Sequence, residues 1–109
     1  MRWEQDIPWV VIGTQSDADI LAELHDVAGW APPTITEIIP ESAWTRIARR
    51  DGHRMLALNP SDNVIRALMR VCHKYPLSIC AHPWNPSRGL ICEGDTLTTI
   101  QLTGGSVNT

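Results

Sequence analysis

Short solid apolar runs alternate along this chain with longer stretches whose apolar residues recur every three or four positions. Trp9-Val10-Val11-Ile12-Gly13 is one such run, closed by glycine, and suits a strand buried on both faces. Thr14-Gln15-Ser16-Asp17 follows, with Ser16 the expected N-cap of a first helix. In that helix Ile20, Leu21, Leu24, Val27 and Ala28 recur at helical spacing and are expected inside. Asp17, Asp19, Glu23 and Asp26 take the other face. Gly29 stops the helix, Pro32-Pro33 opens an extended segment, and residues 34–39 are rich enough in β-branched side chains for a second strand.

The alternation then repeats. Pro40-Glu41-Ser42 can start a second helix, with Ala43, Trp44, Ile47 and Ala48 inward, that ends at Asp51-Gly52. Residues 54–58 read as a third strand closed by Asn59-Pro60. Ser61 is a good N-cap for a third helix whose stripe is Val64, Ile65, Leu68, Met69 and Cys72. Tyr75-Pro76 ends it, residues 77–81 are expected as a fourth strand, and residues 83–87 as a loop. Residues 90–92 and 97–102 flank Glu93-Gly94-Asp95-Thr96, a hairpin turn.

The predicted order is β-α-β-α-β-α-β followed by an antiparallel hairpin. Strands that alternate with helices favour parallel pairing, so the fold class is α/β, or α+β, with a mixed sheet of about five or six strands. One globular domain over residues 1–103 is expected, with 104–109 a flexible tail.

Composition narrows the class. The 109 residues are 43% hydrophobic and 19% charged, with five tryptophans and no phenylalanine, which argues for a packed core rather than disorder. No apolar run approaches the roughly 20 residues that span a bilayer, and the N-terminal run lacks a secretory cleavage site, so no membrane role and a cytoplasmic location are expected. Cys72, Cys80 and Cys92 are sparse, odd in number and form no C-x-x-C pair, which favours free buried thiols over a disulfide framework or a zinc ribbon.

Charge is unevenly spread. Net charge is −3, yet residues 1–45 hold eight acids and one base, whereas residues 46–92 hold eight bases and two acids. Arg46, Arg49, Arg50 and Arg54 cluster around the second helix. Arg66, Arg70 and Lys74 recur every four residues and are expected as one exposed stripe on the third. With Trp84 in its proline-flanked loop, these residues are the candidate partner-binding set. Dipole complementarity explains bases late in a helix, but not a first helix with four acids and no lysine or arginine.

Two other segments carry candidate chemistry. Gly13, Thr14 and Ser16 enter a helix N-terminus, where backbone N–H groups favour anions, although Asp17 and Asp19 oppose a phosphate. Gly13-Thr14-Gln15-Ser16-Asp17 resembles the G-S-x-S-D turn of the carboxyaminoimidazole ribonucleotide mutases over five residues, with Thr14 in place of serine. That family's serine-alanine-histidine-arginine run has no counterpart at the expected place, and its function is not carried over. Cys80 and His82, two apart on an expected strand, would share a face and form an alternative ligand site. No P-loop, dinucleotide fingerprint or metal spacing occurs, so no cofactor, metal or catalytic residue is assigned.

The pattern points first to a non-catalytic interaction protein, a small regulator, inhibitor or immunity-type module that binds another protein through charge-polarised helical faces. Homo-oligomerisation through opposite charges is open to such a surface. The alternatives are a small α/β enzyme or binding domain for a phosphorylated ligand, and nucleic-acid binding through the arginine stripes.

Overall fold

A computed structural model describes residues 6–77, 79 and 88–101. Its elements are β1 (Trp9–Ile12), α1 (Gln15–Val27), β2 (Ile35–Ile39), a 3-10 segment η1 (Glu41–Arg46), β3 (Arg54–Leu58), α2 (Asp62–Val71), β4 (Arg88–Glu93) and β5 (Thr96–Gln101). The strands form one sheet in the order β2-β1-β3-β4-β5. β1 is parallel to both its neighbours, and β3, β4 and β5 are successively antiparallel. The mixed sheet of five strands with helices is the expected class.

The connections from β1 to β2 and from β2 to β3 run in opposite directions along the sheet. A shared crossover hand therefore puts them on opposite faces. α1 lies with Trp9, Val11, Leu56, Leu58 and Ile91, while η1 and α2 cover Val10, Ile12, Met55, Ala57, Leu90 and Leu97. Consecutive strand residues alternate between these two clusters, as the pleat requires. That is why β1 and residues 55–58 of β3 read as unbroken apolar runs: both of their faces are covered.

Local signals account for the best-formed elements. Ser61 caps α2, its hydroxyl accepting from the Val64 N–H at 3.4 Å, and Val64, Ala67 and Leu68 are buried. The hairpin turns through Gly94, whose φ of +62° lies in the left-handed region. β4 and β5 then pair from Glu93↔Thr96 to Arg88↔Gln101.

Several expectations are corrected. The cap of α1 is Thr14 rather than Ser16, because the Asp17 carboxylate turns back to accept from the Thr14 N–H at 2.7 Å. The buried face of α1 is Ala18, Leu21 and His25; Ile20, Leu24 and Val27 are exposed. The second helix shortens to η1, with Ala43 outside helical geometry and Ile47 already extended. α2 stops at Val71, so Lys74 leaves the helix and bridges to Thr96, the first residue of β5. The strand expected over residues 77–81 does not form where it is described, since Leu77 lies in a turn and Ile79 is helical. Its remainder, with Cys80, His82, the loop carrying Trp84 and the tail over 104–109, lies outside the described residues.

The thiol expectation also fails for two cysteines. Cys72, at the C-cap of α2, and Cys92, on β4, form a disulfide with Cα atoms 6.4 Å apart. Both residues are buried in the cluster between α2 and the sheet. They stand 20 positions apart in the sequence, and that spacing carried no hint of the pairing. No helix among the described residues is long and apolar enough to cross a membrane.

Gly13 is the tightest point of the first turn. Its φ is +149°, and a Cβ there would stand 2.1 Å from Asp17 Oδ2. Gly13→Ala is expected to cost about 2 kcal/mol, from backbone strain plus displacement of the Asp17 cap. Asp17→Ala alone should cost about 1 kcal/mol. The double variant should cost less than the sum, because the clash and the lost cap share one carboxylate. Urea unfolding of the four proteins measures this; strict additivity would show that Gly13 and Asp17 are not in contact.

Candidate interaction surface

The basic residues come from two segments that the fold sets side by side. η1 and α2 pack on the same face of the sheet, and the Arg70 guanidinium lies 6.0 Å from the centre of the Trp44 ring. Trp44 is half-buried against the core cluster, so its ring is a fixed platform on which the long arginine side chain rests. α1 and its acids lie on the opposite face. The charge asymmetry along the sequence thus becomes an asymmetry across the sheet.

Within the basic layer the arginines divide into two kinds. Arg46 and Arg50 both close on Glu37 of β2, Arg46 at 3.3 Å, and Arg49 reaches Asp95 at 2.6 Å and Asp51 at 3.5 Å. Exposed pairs of this kind contribute little to stability, but they offset much of the local positive field. Arg66 and Arg70 are exposed and make no ion pair among the described residues. Asp62 and Arg66, one turn apart, do not pair along the helix. Lys74 is exposed as well, but its backbone is tied to the hairpin by Lys74 N–H to Asp95 O at 2.7 Å and Leu97 N–H to Lys74 O at 2.6 Å.

Arg54 leaves the set. Its side chain is only 1% exposed, packed on the α1 side of β3. Its Nε donates to Glu93 Oε2 at 3.0 Å across the β3–β4 pair, and its guanidinium lies 5.5 Å from the Trp9 ring centre. The run of basic residues around it in sequence gave no warning, because alternation along β3 sends Arg54 with Leu56 and Leu58 rather than with its neighbours.

The alternative ligand site looks different in three dimensions. Gly13 and Thr14 sit at the carboxyl end of β1, where strand connections diverge and open α/β sheets bind ligands. Here the Asp17 carboxylate occupies the helix N-terminus, accepting from both the backbone N–H and, at 3.2 Å, the hydroxyl of Thr14. A phosphate would have to displace a covalently attached anion that already satisfies those donors. Ser16 is exposed and forms no part of the cap. Among the described residues no cluster of His, Cys, Asp and Glu is arranged to hold a metal ion.

Sequence reading missed two features. His25 is buried: its Nδ1 lies 3.1 Å from the Ala31 carbonyl oxygen, its ring meets Trp9 and Trp30 edge-on, and its Nε2 has no hydrogen-bond partner among the described residues. The spacing of Ala18, Leu21 and His25 was a visible helical stripe, but the more apolar Ile20, Leu24 and Val27 outweighed it. That second stripe, left in water, is the other missed feature. Comparison with protein-family models, curated proteins and solved structures finds no match to this chain.

Proposed function

We propose that this protein is a non-catalytic interaction module whose basic layer, η1 with α2, receives an acidic surface of a protein partner. The observation that carries the reading is the separation of charge by the sheet, with Arg66 and Arg70 exposed and without an ion pair among the described residues on one side and an acid-rich α1 on the other. Such a dipolar molecule steers its encounters, since the basic face attracts an acidic partner while the acidic face turns away. A role as regulator, inhibitor or immunity-type module is consistent with this mode of action. Nucleic acid is the weaker reading, because a long polyanion also meets the field of α1 and of a net negative chain. The Cys72–Cys92 disulfide favours an oxidising working environment over the reducing cytoplasm expected from the sequence.

The test compares wild type with Arg66→Glu/Arg70→Glu as immobilised bait. The expected result is a stoichiometric protein partner whose retention falls by about tenfold or more in the variant, a loss of about 1.4 kcal/mol or more. Equal retention by both baits sinks the proposal. Salt-sensitive binding of the wild type to a DNA or RNA duplex, lost in the variant, would transfer the basic layer to nucleic acid.

A further inference from the structure

α1 carries a second apolar stripe that the fold does not use. Ile20, Leu24 and Val27, spaced four and three apart, lie along one line of the helix and are 43%, 37% and 79% exposed. The stripe borders a groove of about 280 Å³ lined by Leu24, Ala28, Trp30, Ile100 and Gln101, so largely apolar surface continues from the helix to the edge strand β5. Exposed apolar residues scattered singly are ordinary. Three in a helical line beside an apolar groove make a surface shaped for a second helix laid against the first. The layering agrees: η1 and α2 share one face of the sheet, whereas α1 is the one helix that the described residues place on the other.

Charge selects the occupant. Asp17, Asp19, Glu23 and Asp26 accompany the stripe, and α1 has no lysine or arginine. A second copy docked through the same stripe would bring two such acidic helices together, at the cost of like-charge repulsion. A helix with an apolar line flanked by lysine or arginine meets both requirements. We propose that the outer flank of α1 is a docking site for a basic amphipathic helix of another protein. This goes beyond the reading above, because it rests on the opposite face of the sheet and on different residues.

The test selects random peptides of about 16 residues, roughly four helical turns, on the full-length protein. Counter-selection uses Val27→Asp, a substitution at a position too exposed to threaten the fold, and Ile20→Asp/Val27→Asp. The expected binders carry apolar residues at i, i+4 and i+7 flanked by bases, weaken with salt, and lose about tenfold in affinity to Val27→Asp, equivalent to about 1.4 kcal/mol. Arg66→Glu/Arg70→Glu should bind them undiminished, which keeps a failure here distinct from a failure of the basic layer. Recovery of no peptide, of peptides without a basic preference, or of peptides indifferent to Val27→Asp overturns the proposal. So does a wild-type dimer in sedimentation that Val27→Asp converts to monomer.

Discussion

Arg54→Ala is expected to destabilise the protein by about 3 kcal/mol, the lower end of what breaking a buried ion pair costs. Arg54 is almost wholly buried, and its removal deletes the Nε bond to Glu93, the cation–π contact with Trp9 and the packing of its aliphatic stem. The Glu93 side chain is 36% exposed, so water can reach its carboxylate once the partner has gone. That hydration is what keeps the expected loss at the lower end. Arg54→Met restores the stem without the charge and should recover part of the loss, to about 1–2 kcal/mol below wild type. In a double-mutant cycle with Glu93→Gln the coupling should be about 1 kcal/mol, because only the ion-pair part of the Arg54 loss is shared with Glu93. Midpoints of urea unfolding, followed by tryptophan fluorescence at constant m-value, provide the numbers. A loss below about 0.5 kcal/mol for Arg54→Ala, the range of ordinary surface substitutions, would mean that this arginine reaches solvent and belongs with the interaction surface after all.

Loss of the disulfide should have a comparable effect. Cys72 and Cys92 close a loop of 20 residues, for which the chain-entropy relation gives about 3 kcal/mol. The bond ties the end of α2 to the β4 strand, and the loop it closes includes the whole connection between them. Cys72→Ala/Cys92→Ala should therefore unfold at a clearly lower urea concentration, with the single variants close to the double. Because both residues are buried, mild reductant should act on the native protein only through transient opening. Reduction should become fast in urea near the midpoint. Peptide mapping without reductant should recover the Cys72–Cys92 pair, and a variant as stable as wild type would show that the pairing does not constrain the chain.

These two expectations concern residues whose roles were invisible from their neighbours in sequence. Arg54 stands in a run with His53 and beyond Arg49 and Arg50, all of which reads as one basic surface. Only the pairing of β3 with β1 on one side and β4 on the other encloses its side chain and supplies Glu93 and Trp9 as partners. Glu37 is a similar case. On the sequence it is one polar residue within a β-branched strand, yet the connection through η1 folds both Arg46 and Arg50 back to it. The candidate surface thus shrinks from the seven basic residues expected to the exposed Arg66 and Arg70 on α2 and Lys74 just beyond it, with the neutralised arginines beside them.

Much of the architecture was nevertheless legible along the chain. The runs at β1 and β3, the Ser61 cap and apolar stripe of α2, and the Gly94 turn of the hairpin each follow from steric and hydrogen-bonding rules that operate within a few residues. Other properties depended on what lies across the sheet. A helix with apolar residues on more than half its circumference does not reveal which flank it will bury. Packing α1 over β1 and β2 chose Ala18, Leu21 and His25, and left Ile20, Leu24 and Val27 in water. The same long-range geometry brought Cys72 to Cys92 and set the four acids of α1 on the face opposite the exposed arginines of α2. Short-range patterning encodes what each segment is, while the partners of its side chains are set by loop closures that no local rule contains.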